Sequence, residues 1–444
     1  MGGICVDAMS ERKTTRREFL KQALGTGAGL LFLKSGWAKG TSPNDKLNIA
    51  VIGVGGRGWD NLMGVANTEN IVALCDVDLN NLARGAQAFP RAMLFADYRA
   101  LFDRYHTLFD AVVISTPDHH HALPTMRALQ LGKHVYCEKP LMHSVWECRQ
   151  VREQARRTKV ATQMGNQAHS SDALRQAVEV IRSGIVGPIR EVHAWSDRPI
   201  WPQGMARPDG EKPLPPTLMW DLWLGPAPSR PYNDGYHPFA WRGWWDFGTG
   251  ALGDMGCHII DTAYWALELG LPVSVEAEGE PRMPETGPKW SIVRYEFPAR
   301  HGMPPVKLTW YDGGRKPPAE LIENSPMAPN GVLCVGERGV IYFPHAVGVQ
   351  LFPKNRFADF QPPAPTLPRS PGHYEEWILA CKTGSPTYSN FEYATTLTEA
   401  VLLGNVAFRA NQKIYWDAKA GRITNTRAGD EFVQRPYRRG WQWR

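Results

Sequence analysis

The feature that most constrains the fold is an apolar run, Leu47 to Ile52, that leads directly into a string of glycines. The glycines follow the spacing Gly-x-Gly-x-x-Gly, and a helical pattern comes after them. In this context glycines let the backbone approach a pyrophosphate, while the start of the helix supplies N–H groups and a positive dipole end. The sequence therefore predicts a dinucleotide-binding domain of the Rossmann type.

A carboxylate supports this interpretation and bears on the choice of cofactor. A second apolar strand, Ile71 to Cys75, ends in Asp76, at the distance from the glycines where a carboxylate accepts hydrogen bonds from the ribose hydroxyls. The same charge repels a 2′-phosphate, so Asp76 favours NAD over NADP. The alternative is that Asp76 only forms the turn after its strand.

Two further apolar strands end in polar motifs. The strand Phe109 to Ser115 leads into Thr116-Pro117-Asp118 and three adjacent histidines, and a later strand ends in Glu138-Lys139-Pro140. Consecutive side chains point in different directions, and metal sites draw their ligands from separated positions. We therefore expect no metal at the histidines.

In these motifs the chain resembles the family of glucose–fructose oxidoreductase, inositol dehydrogenase and rhizopine-catabolism proteins, called Gfo/Idh/MocA. The resemblance covers Lys46 to about Asp417, and its later signature is the stretch from Gly253 to Asp261. It implies an α/β protein with a Rossmann domain at residues 46–165 and a second domain at 166–444. The second domain is expected to contain an open, mostly antiparallel sheet with helices on one face. Its exposed face commonly forms an interface, so we expect a homodimer or homotetramer.

The resemblance also implies which residues contact the cofactor, expected to be NAD. They are Gly53, Gly55, Gly56, Arg57, Gly58, Asp76, Thr116, Pro117, His121, Glu138, Lys139 and Gln167.

Three residues are candidates for the chemistry. Asp254 and His258 are four positions apart, so on a helix they project from one face. A histidine can take a proton from a sugar hydroxyl while hydride leaves the same carbon, and Lys139 can stabilise the resulting charge on oxygen. The resemblance implies Lys139 as polariser, Asp254 as the group that orients His258, and His258 as base or acid. The alternatives are Asp254 as a helix N-cap and His258 as a core histidine.

A concentration of tryptophan points to the substrate. Seven of the seventeen tryptophans fall between Trp195 and Trp245. Aromatic rings suit the apolar faces of sugars, although most of these side chains are expected to fill the core. We expect a carbohydrate substrate that contacts Trp241 or Trp244 and several polar side chains. Weaker candidates for cofactor or substrate contacts lie where the chain crosses from the first domain into the second. The polar groups are His237 and Arg242, then Arg198 and Asp246, and the crossover candidates are Gln163, Asn166, Gln167 and His169.

The first 40 residues explain most of the net charge of +6, because the rest of the chain carries a formal charge of +2. A nearly neutral body gives no reason to expect nucleic acid. The leader contains the twin-arginine pattern Thr15 to Lys21 and an apolar stretch, Ala23 to Leu33, too short to anchor in a membrane. We expect a removable signal over residues 1–40, export of the folded protein and a periplasmic location. The six irregularly spaced cysteines beyond the leader are expected to be buried free thiols.

Three functions fit these features. The first is an NAD-dependent oxidoreductase that transfers hydride from a sugar, polyol or glycoside hydroxyl. The second is a glycoside hydrolase that uses the same cofactor through transient oxidation. The third is a non-catalytic sugar or nucleotide sensor, which should lack at least one of Lys139, Asp254 and His258. Free NAD is scarce in the periplasm, so we expect the cofactor to be tightly bound.

Overall fold

The structure is a computed structural model that describes residues 4–5, 45–345 and 347–442 of the 444-residue chain. The twin-arginine pattern and the apolar stretch after it lie outside the described residues. Among the described residues, no helix is long and apolar enough to cross a membrane.

The first domain is built on a parallel sheet of seven strands in the order β1-β4-β3-β2-β5-β6-β7. Helices cover the sheet, so the central strands β2 and β5 are buried on both faces, as their apolar sequences predict. The strands are β1 (Ile4–Cys5), β2 (Asn48–Ile52), β3 (Asn70–Cys75), β4 (Met93–Phe95), β5 (Ala111–Ile114), β6 (His134–Glu138) and β7 (Thr162–Gly165).

The strand order reverses direction at β2, which has β3 on one side and β5 on the other. In open α/β sheets such a switch point opens a crevice at the carboxyl ends of the strands, where ligands bind. The glycine string lies there, between β2 and the first helix. The helices of this domain are α1 (Arg57–Ala66), α2 (Leu79–Ala88), α3 (Tyr98–Tyr105), α4 (Ala122–Gln130) and α5 (Val145–Thr158).

The second domain is built on a nine-stranded sheet in the order β14-β13-β12-β8-β11-β10-β9-β15-β16. Every neighbouring pair is antiparallel except β8 and β11, which confirms the expected mostly antiparallel sheet. The strands are β8 (Ile189–Trp195), β9 (Ser274–Gly279), β10 (Ser291–Phe297), β11 (Val306–Tyr311), β12 (Gly331–Gly336), β13 (Gly339–Pro344), β14 (Gln350–Phe352), β15 (Ile414–Asp417) and β16 (Arg422–Ile423).

Helices of this part of the chain pack against strands of that sheet and against helices of the first domain. Those that follow the crossover are α6 (Asp172–Arg182), α7 (Trp220–Leu224), α8 (Gly250–Ile259), α9 (Asp261–Leu267), α10 (His373–Thr383), α11 (Phe391–Ala410) and α12 (Asp430–Val433). Helix α10 returns to the first domain, where Tyr374 donates a hydrogen bond to Asn61 Oδ1 (2.8 Å) and Lys382 pairs with Glu69 (2.6 Å). One apolar core runs through both domains.

The described cysteines agree with expectation. Cys75, Cys137, Cys148, Cys257, Cys334 and Cys381 are buried free thiols. The C-terminal segment is docked on the protein, because Arg435 pairs with the buried Glu147 (2.9 Å) and Trp441 is buried.

Candidate active site

A cleft of about 980 Å³ lies between the carboxyl ends of the parallel strands and the second domain. It gathers most of the residues that the sequence singles out, although they come from distant parts of the chain. The predicted residues on its walls are Gly53, Gly55, Gly56, Arg57, Asp76, Thr116, Pro117, Glu138, Lys139, Gln167, Arg198, His237, Trp241, Arg242, Asp254 and His258.

The glycine loop has the geometry of an anion cradle. Gly53 has φ +83°, and a Cβ there would lie 2.6 Å from the carbonyl oxygen of Ser115. Gly56 has φ +51°, stands before α1 and is open to the cleft, and no side chain caps this helix. In the first turn Gly58 and Trp59 donate to the carbonyl oxygens of Gly55 (2.9 Å) and Gly56 (3.0 Å), so a pyrophosphate would meet the loop before the helix and the positive end of the helix dipole. Gly58 was expected to contact the cofactor, but it does not line the cleft: it packs against Gly53, where a Cβ would collide with the backbone.

Asp76 fixes its loop and also faces the cleft. Its carboxylate accepts hydrogen bonds from the backbone N–H groups of Val54 (2.9 Å) and Asp78 (2.8 Å) and from the amide of Asn81 (3.2 Å). Burial raises the pKa of Asp76 to about 6. The uncapped helix and this carboxylate at the ribose position together fit NAD.

Glu138 is the centre of a hydrogen-bond network beside the glycine loop. Its Oε1 accepts from the amides of Asn61 (2.9 Å) and Gln167 (2.8 Å), and Gln167 also donates to the Tyr136 hydroxyl (3.0 Å). Because Tyr374 donates to Asn61, this network ties α10 to the floor of the cleft.

The predicted chemical trio is brought together, with one change of role. Lys139 Nζ lies 2.5 Å from Asp254 Oδ1 and 2.9 Å from the Asp254 carbonyl oxygen, and Arg242 Nε lies 3.5 Å from the same Oδ1. Asp254 was expected to orient His258, but the carboxylate binds Lys139 instead and makes no hydrogen bond to the imidazole in the described structure. Helix α8 begins at Gly250, so Asp254 is not the N-cap either. Although burial acts to raise its pKa, the charges of Lys139 and Arg242 hold the pKa of Asp254 below its ordinary value.

His258 lines the cleft, and one of its ring nitrogens has no hydrogen-bond partner among the described residues. This nitrogen is Nδ1, and it is buried. Burial, and then the positive charge of Lys139, lower the pKa of His258 well below its ordinary value. The ring of His345 lies 6.1 Å away, centroid to centroid. An unprotonated nitrogen beside a fixed ammonium is suited to accepting a proton from a hydroxyl.

Several expected contacts do not reach the cleft, because tertiary packing uses them elsewhere. His121 is buried behind it, where its two ring nitrogens bind the carbonyl oxygens of Pro140 (2.8 Å) and Thr116 (2.9 Å). Trp244 is fully buried and donates to the Gly235 carbonyl oxygen (2.9 Å), so Trp241 is the tryptophan of the pair that lines the cleft.

The weaker candidates are also mostly structural. Asn166 and His169 both bind the buried carboxylate of Asp261, and Gln163 binds the His373 carbonyl oxygen. Asp246 pairs with Arg230, away from the cleft.

The structure adds cleft residues that the sequence did not indicate for this role. Asp118 follows β5 and accepts a hydrogen bond from Thr249 (2.7 Å), and burial raises its pKa. Its position after a parallel strand was a signal that could have found it. His345, Trp223 and Phe239 also line the cleft, and they belong to no local motif.

Comparison with known families agrees with this architecture. Residues 47–166 match the profile of the Gfo/Idh/MocA oxidoreductase family, NAD-binding Rossmann fold, and residues 189–302 match the C-terminal alpha/beta domain of the same family. The two profiles together match more than half of the chain. The chain belongs to the Gfo/Idh/MocA oxidoreductase family. Its first domain is therefore an NAD-binding domain, as the glycine loop and Asp76 predicted.

Curated relatives within this family include glycosyl hydrolase family 109 proteins. The protein of Shewanella baltica is 28% identical over 203 residues, which are 39% of this chain and 44% of the relative. The protein of Shewanella pealeana is 30% identical over 206 residues, with 40% and 44% covered. The chain thus spans less than half the length of these relatives.

Several solved structures share the fold of this chain. The WlbA dehydrogenase from Bordetella pertussis, in complex with NADH and UDP-GlcNAcA, has a TM-score of 0.58 at 17% identity, covering 84% of this chain and 99% of that one. The myo-inositol 2-dehydrogenase from Lactobacillus plantarum has a TM-score of 0.57 at 16% identity, covering 84% and 99%. Aldose-aldose oxidoreductase from Caulobacter crescentus has a TM-score of 0.56 at 17% identity, covering 84% and 100%.

Proposed function

We propose that this protein is an NAD-dependent oxidoreductase that removes hydride from a CH–OH group of a carbohydrate. The observation that carries the proposal is that Lys139 and His258 both line the cleft that the glycine loop enters, with the His258 Nδ1 lacking a partner among the described residues. A sensor on the same fold would have no need of this pair.

The side chains divide the work on the substrate oxygen. His258 accepts the proton of the hydroxyl, which its lowered pKa allows throughout the neutral range. The Lys139 ammonium donates a hydrogen bond to the oxygen as negative charge develops. Asp254 holds that ammonium in place through its carboxylate and its backbone carbonyl.

The first domain holds the cofactor. The glycine loop before α1 and the positive end of the helix dipole would bind the pyrophosphate, and Asp76 would accept hydrogen bonds from the ribose. NAD, when bound, supplies the acceptor for the hydride.

A second candidate is cleavage of a glycoside through transient oxidation, and the glycosyl hydrolase family 109 relatives favour it. The two functions share the first chemical step and differ in the product. Redox chemistry gives a reduced cofactor and an oxidised sugar, whereas cleavage gives two unoxidised fragments and leaves the cofactor as it began.

One pair of measurements tests the proposal. A native mass spectrum of the purified protein, followed by denaturation, identifies the dinucleotide that it carries. A single-turnover reaction with glucosides, galactosides and polyols then follows the absorbance of reduced nicotinamide and analyses the sugar product. Bound NAD that is reduced with formation of an oxidised sugar supports the oxidoreductase. Cleaved glycoside without net reduction supports the second candidate.

We also propose that residues 1–40 direct export of the folded, cofactor-loaded protein, and that it assembles as a homodimer or homotetramer. The basis for export is the twin-arginine pattern. The basis for assembly is the open face of the nine-stranded sheet, where exposed side chains such as Glu276, Arg294 and Lys307 alternate with buried ones. Replacing Arg16 and Arg17 by lysine should retain the protein in the cytoplasm. Light scattering of the purified protein measures its mass and so the number of subunits.

A further inference from the structure

Arg242 is held rigidly at the wall of the cleft. Its guanidinium carbon lies 4.3 Å from the ring centroid of Trp241, 5.5 Å from that of Phe239 and 5.8 Å from that of Trp201. The side chain is 26% exposed, and its accessible part faces the cleft beside Asp254. Contact with aromatic faces fixes the plane of a guanidinium and removes water from both sides of it.

The hydrogen-bonding capacity of this guanidinium is unused. A guanidinium carries five N–H donors, and those of Arg242 donate to no group in the described part of the chain. Its nearest charged neighbour is Asp254 Oδ1, 3.5 Å from Nε, and that oxygen already accepts a hydrogen bond from Lys139 at 2.5 Å. The nitrogens of Arg242 are not among the buried atoms without a partner, so their N–H groups are open to the cleft and available to a ligand.

On its side of the cleft Arg242 has, among the described residues, only one carboxylate near it, Asp254, and it shares that carboxylate with Lys139. This side contributes two arginines, Arg198 and Arg242, but one carboxylate, Asp254. Arg198 pairs with the adjacent Asp197 (2.5 Å), whereas the single carboxylate of Asp254 faces both Lys139 and Arg242. Burial raises the pKa of Asp118, on the facing wall, and the opposing charge of His121 acts on this carboxyl more strongly than that of Arg242. Lys139 and Arg242 together therefore carry one positive charge more than Asp254 balances.

We propose that the substrate is an acidic sugar and that Arg242 binds its carboxylate. A planar guanidinium donates two parallel hydrogen bonds to a carboxylate, and the aromatic rings around Arg242 hold it ready for this contact. Asp254 lies between Arg242 and Lys139. The substrate carboxylate on Arg242 is therefore a short distance from the substrate hydroxyl oxygen that Lys139 and His258 contact. This inference rests on the proposed function for the reaction itself, but it concerns binding, which is measured separately.

The test compares acids with their neutral counterparts on the holoenzyme. The probes are glucuronate, galacturonate and gluconate, the methyl esters of the first two, glucose, galactose and glucose 6-phosphate. Binding is measured by calorimetry, and reduction of the bound cofactor is measured in separate single-turnover experiments. We expect at least one acid to bind about 10–100-fold more tightly than its ester, which is the usual range for a hydrogen-bonded charge.

Variants then locate the preference. Arg242→Gln should abolish the difference in affinity between acid and ester. Arg242→Lys should retain part of this difference, because lysine keeps the positive charge but cannot donate two parallel hydrogen bonds. Arg315→Gln is the matched control, since Arg315 rests on the ring of Trp290 (4.2 Å) outside the cleft and should leave the preference unchanged.

The outcomes separate this inference from the proposed function. Tighter binding of an acid that disappears in Arg242→Gln supports the inference even if no cofactor is reduced. Equal binding of acids and esters by the unsubstituted protein overturns it, even if neutral sugars reduce the cofactor well. Absence of binding by any acid, or a preference for the sugar phosphate over the carboxylates, overturns it as well. The acid and ester comparison needs no variant, so misfolding of Arg242→Gln would not prevent a decision.

Discussion

Lys139, at the end of β6 in the first domain, and Asp254, on α8 in the second, meet at 2.5 Å in the centre of the cleft. Both side chains are mostly buried, with exposed fractions of 15% and 13%. The ion pair therefore joins the domains at the point where the substrate oxygen is expected, and it determines where the ammonium group points.

Replacing Asp254 by asparagine should uncouple Lys139 and Arg242 from their shared carboxylate. Removing one partner of a buried ion pair typically costs about 3–5 kcal/mol, so the free energy of unfolding should fall by an amount of this order. Substrate-dependent reduction of the cofactor should also slow, while cofactor affinity stays nearly unchanged. Asp221→Asn is the control, because Asp221 pairs with Arg438 at the surface and should cost at most about 1 kcal/mol. Equal effects of the two substitutions in chemical denaturation would contradict the assignment.

Asp76 should make NAD affinity depend on pH, and it should disfavour NADP, which carries a 2′-phosphate. Only its ionised form accepts hydrogen bonds from both ribose hydroxyls, and its pKa in the free protein is raised to about 6 by burial. NAD affinity should therefore weaken as the pH falls through about 6, and Asp76→Asn should remove this dependence. Asp76→Ala should relax the preference for NAD over NADP. Fluorescence titrations at several pH values measure both, and a flat profile with unchanged selectivity would leave Asp76 with only its role in the loop.

The charge of Lys139 should affect the pKa of His258 and therefore the pH dependence of the reaction rate. The pKa of His258 is lowered first by burial and then by Lys139, and the base works only when it is neutral. Activity is therefore lost as the pH falls through this pKa. In Lys139→Met the pKa should rise, so the acid limb of the rate profile should move to higher pH. An acid limb that stays in place would show that the two groups do not interact.

His258→Ala and Lys139→Ala should each slow the reduction of bound cofactor by about 10²–10⁴-fold, the usual range for a positioned proton-transfer group. Because both act on one oxygen, the double variant should lose less than the product of the two single losses. Single-turnover kinetics measures this, with dinucleotide affinity as the control. Near-normal rates in His258→Ala would make it a structural residue and direct the search for a base to His345 or His237, which line the same cleft.

The docked C-terminal segment should contribute to stability through one buried charge. Arg435 and the Tyr437 hydroxyl both bind Glu147, whose side chain is fully buried. Arg435→Met should lower the free energy of unfolding by about 3–5 kcal/mol, because it leaves that carboxylate without its cation. The exposed Arg439→Met is the control and should have little effect. A thermal midpoint that is the same in both variants would contradict this account.

The parts of the site that the sequence predicted are those encoded by short motifs. The glycine loop, Asp76 and Lys139 each follow an apolar strand, and parallel strands bring their carboxyl ends to one edge. Asp254 and His258 share a helix face because of their spacing. These relations are local, so they can be read without knowing how the domains pack.

The errors concern residues whose surroundings depend on distant contacts. No local pattern in the sequence distinguishes Trp244 from Trp241. Trp244 is buried against Tyr236 and Gly235 because of the way the tryptophan-rich segment folds. His121 is captured by two carbonyl oxygens that β5 and β6 bring together. His345 follows β13, which is the second strand from β8 in the second sheet. The strand order of that sheet cannot be read from the sequence, so no pattern predicted that His345 lies near His258.

The most direct test of the central claim is transfer of a labelled hydride. The holoenzyme is mixed with a carbohydrate that reduces its cofactor and that carries deuterium on its carbinol carbons, and the dinucleotide is released and examined by mass spectrometry. We predict that the cofactor gains one deuterium, and that His258→Ala gains it much more slowly while it binds the same amount of cofactor. A cofactor that stays unlabelled although the carbohydrate is converted would contradict the proposed reaction.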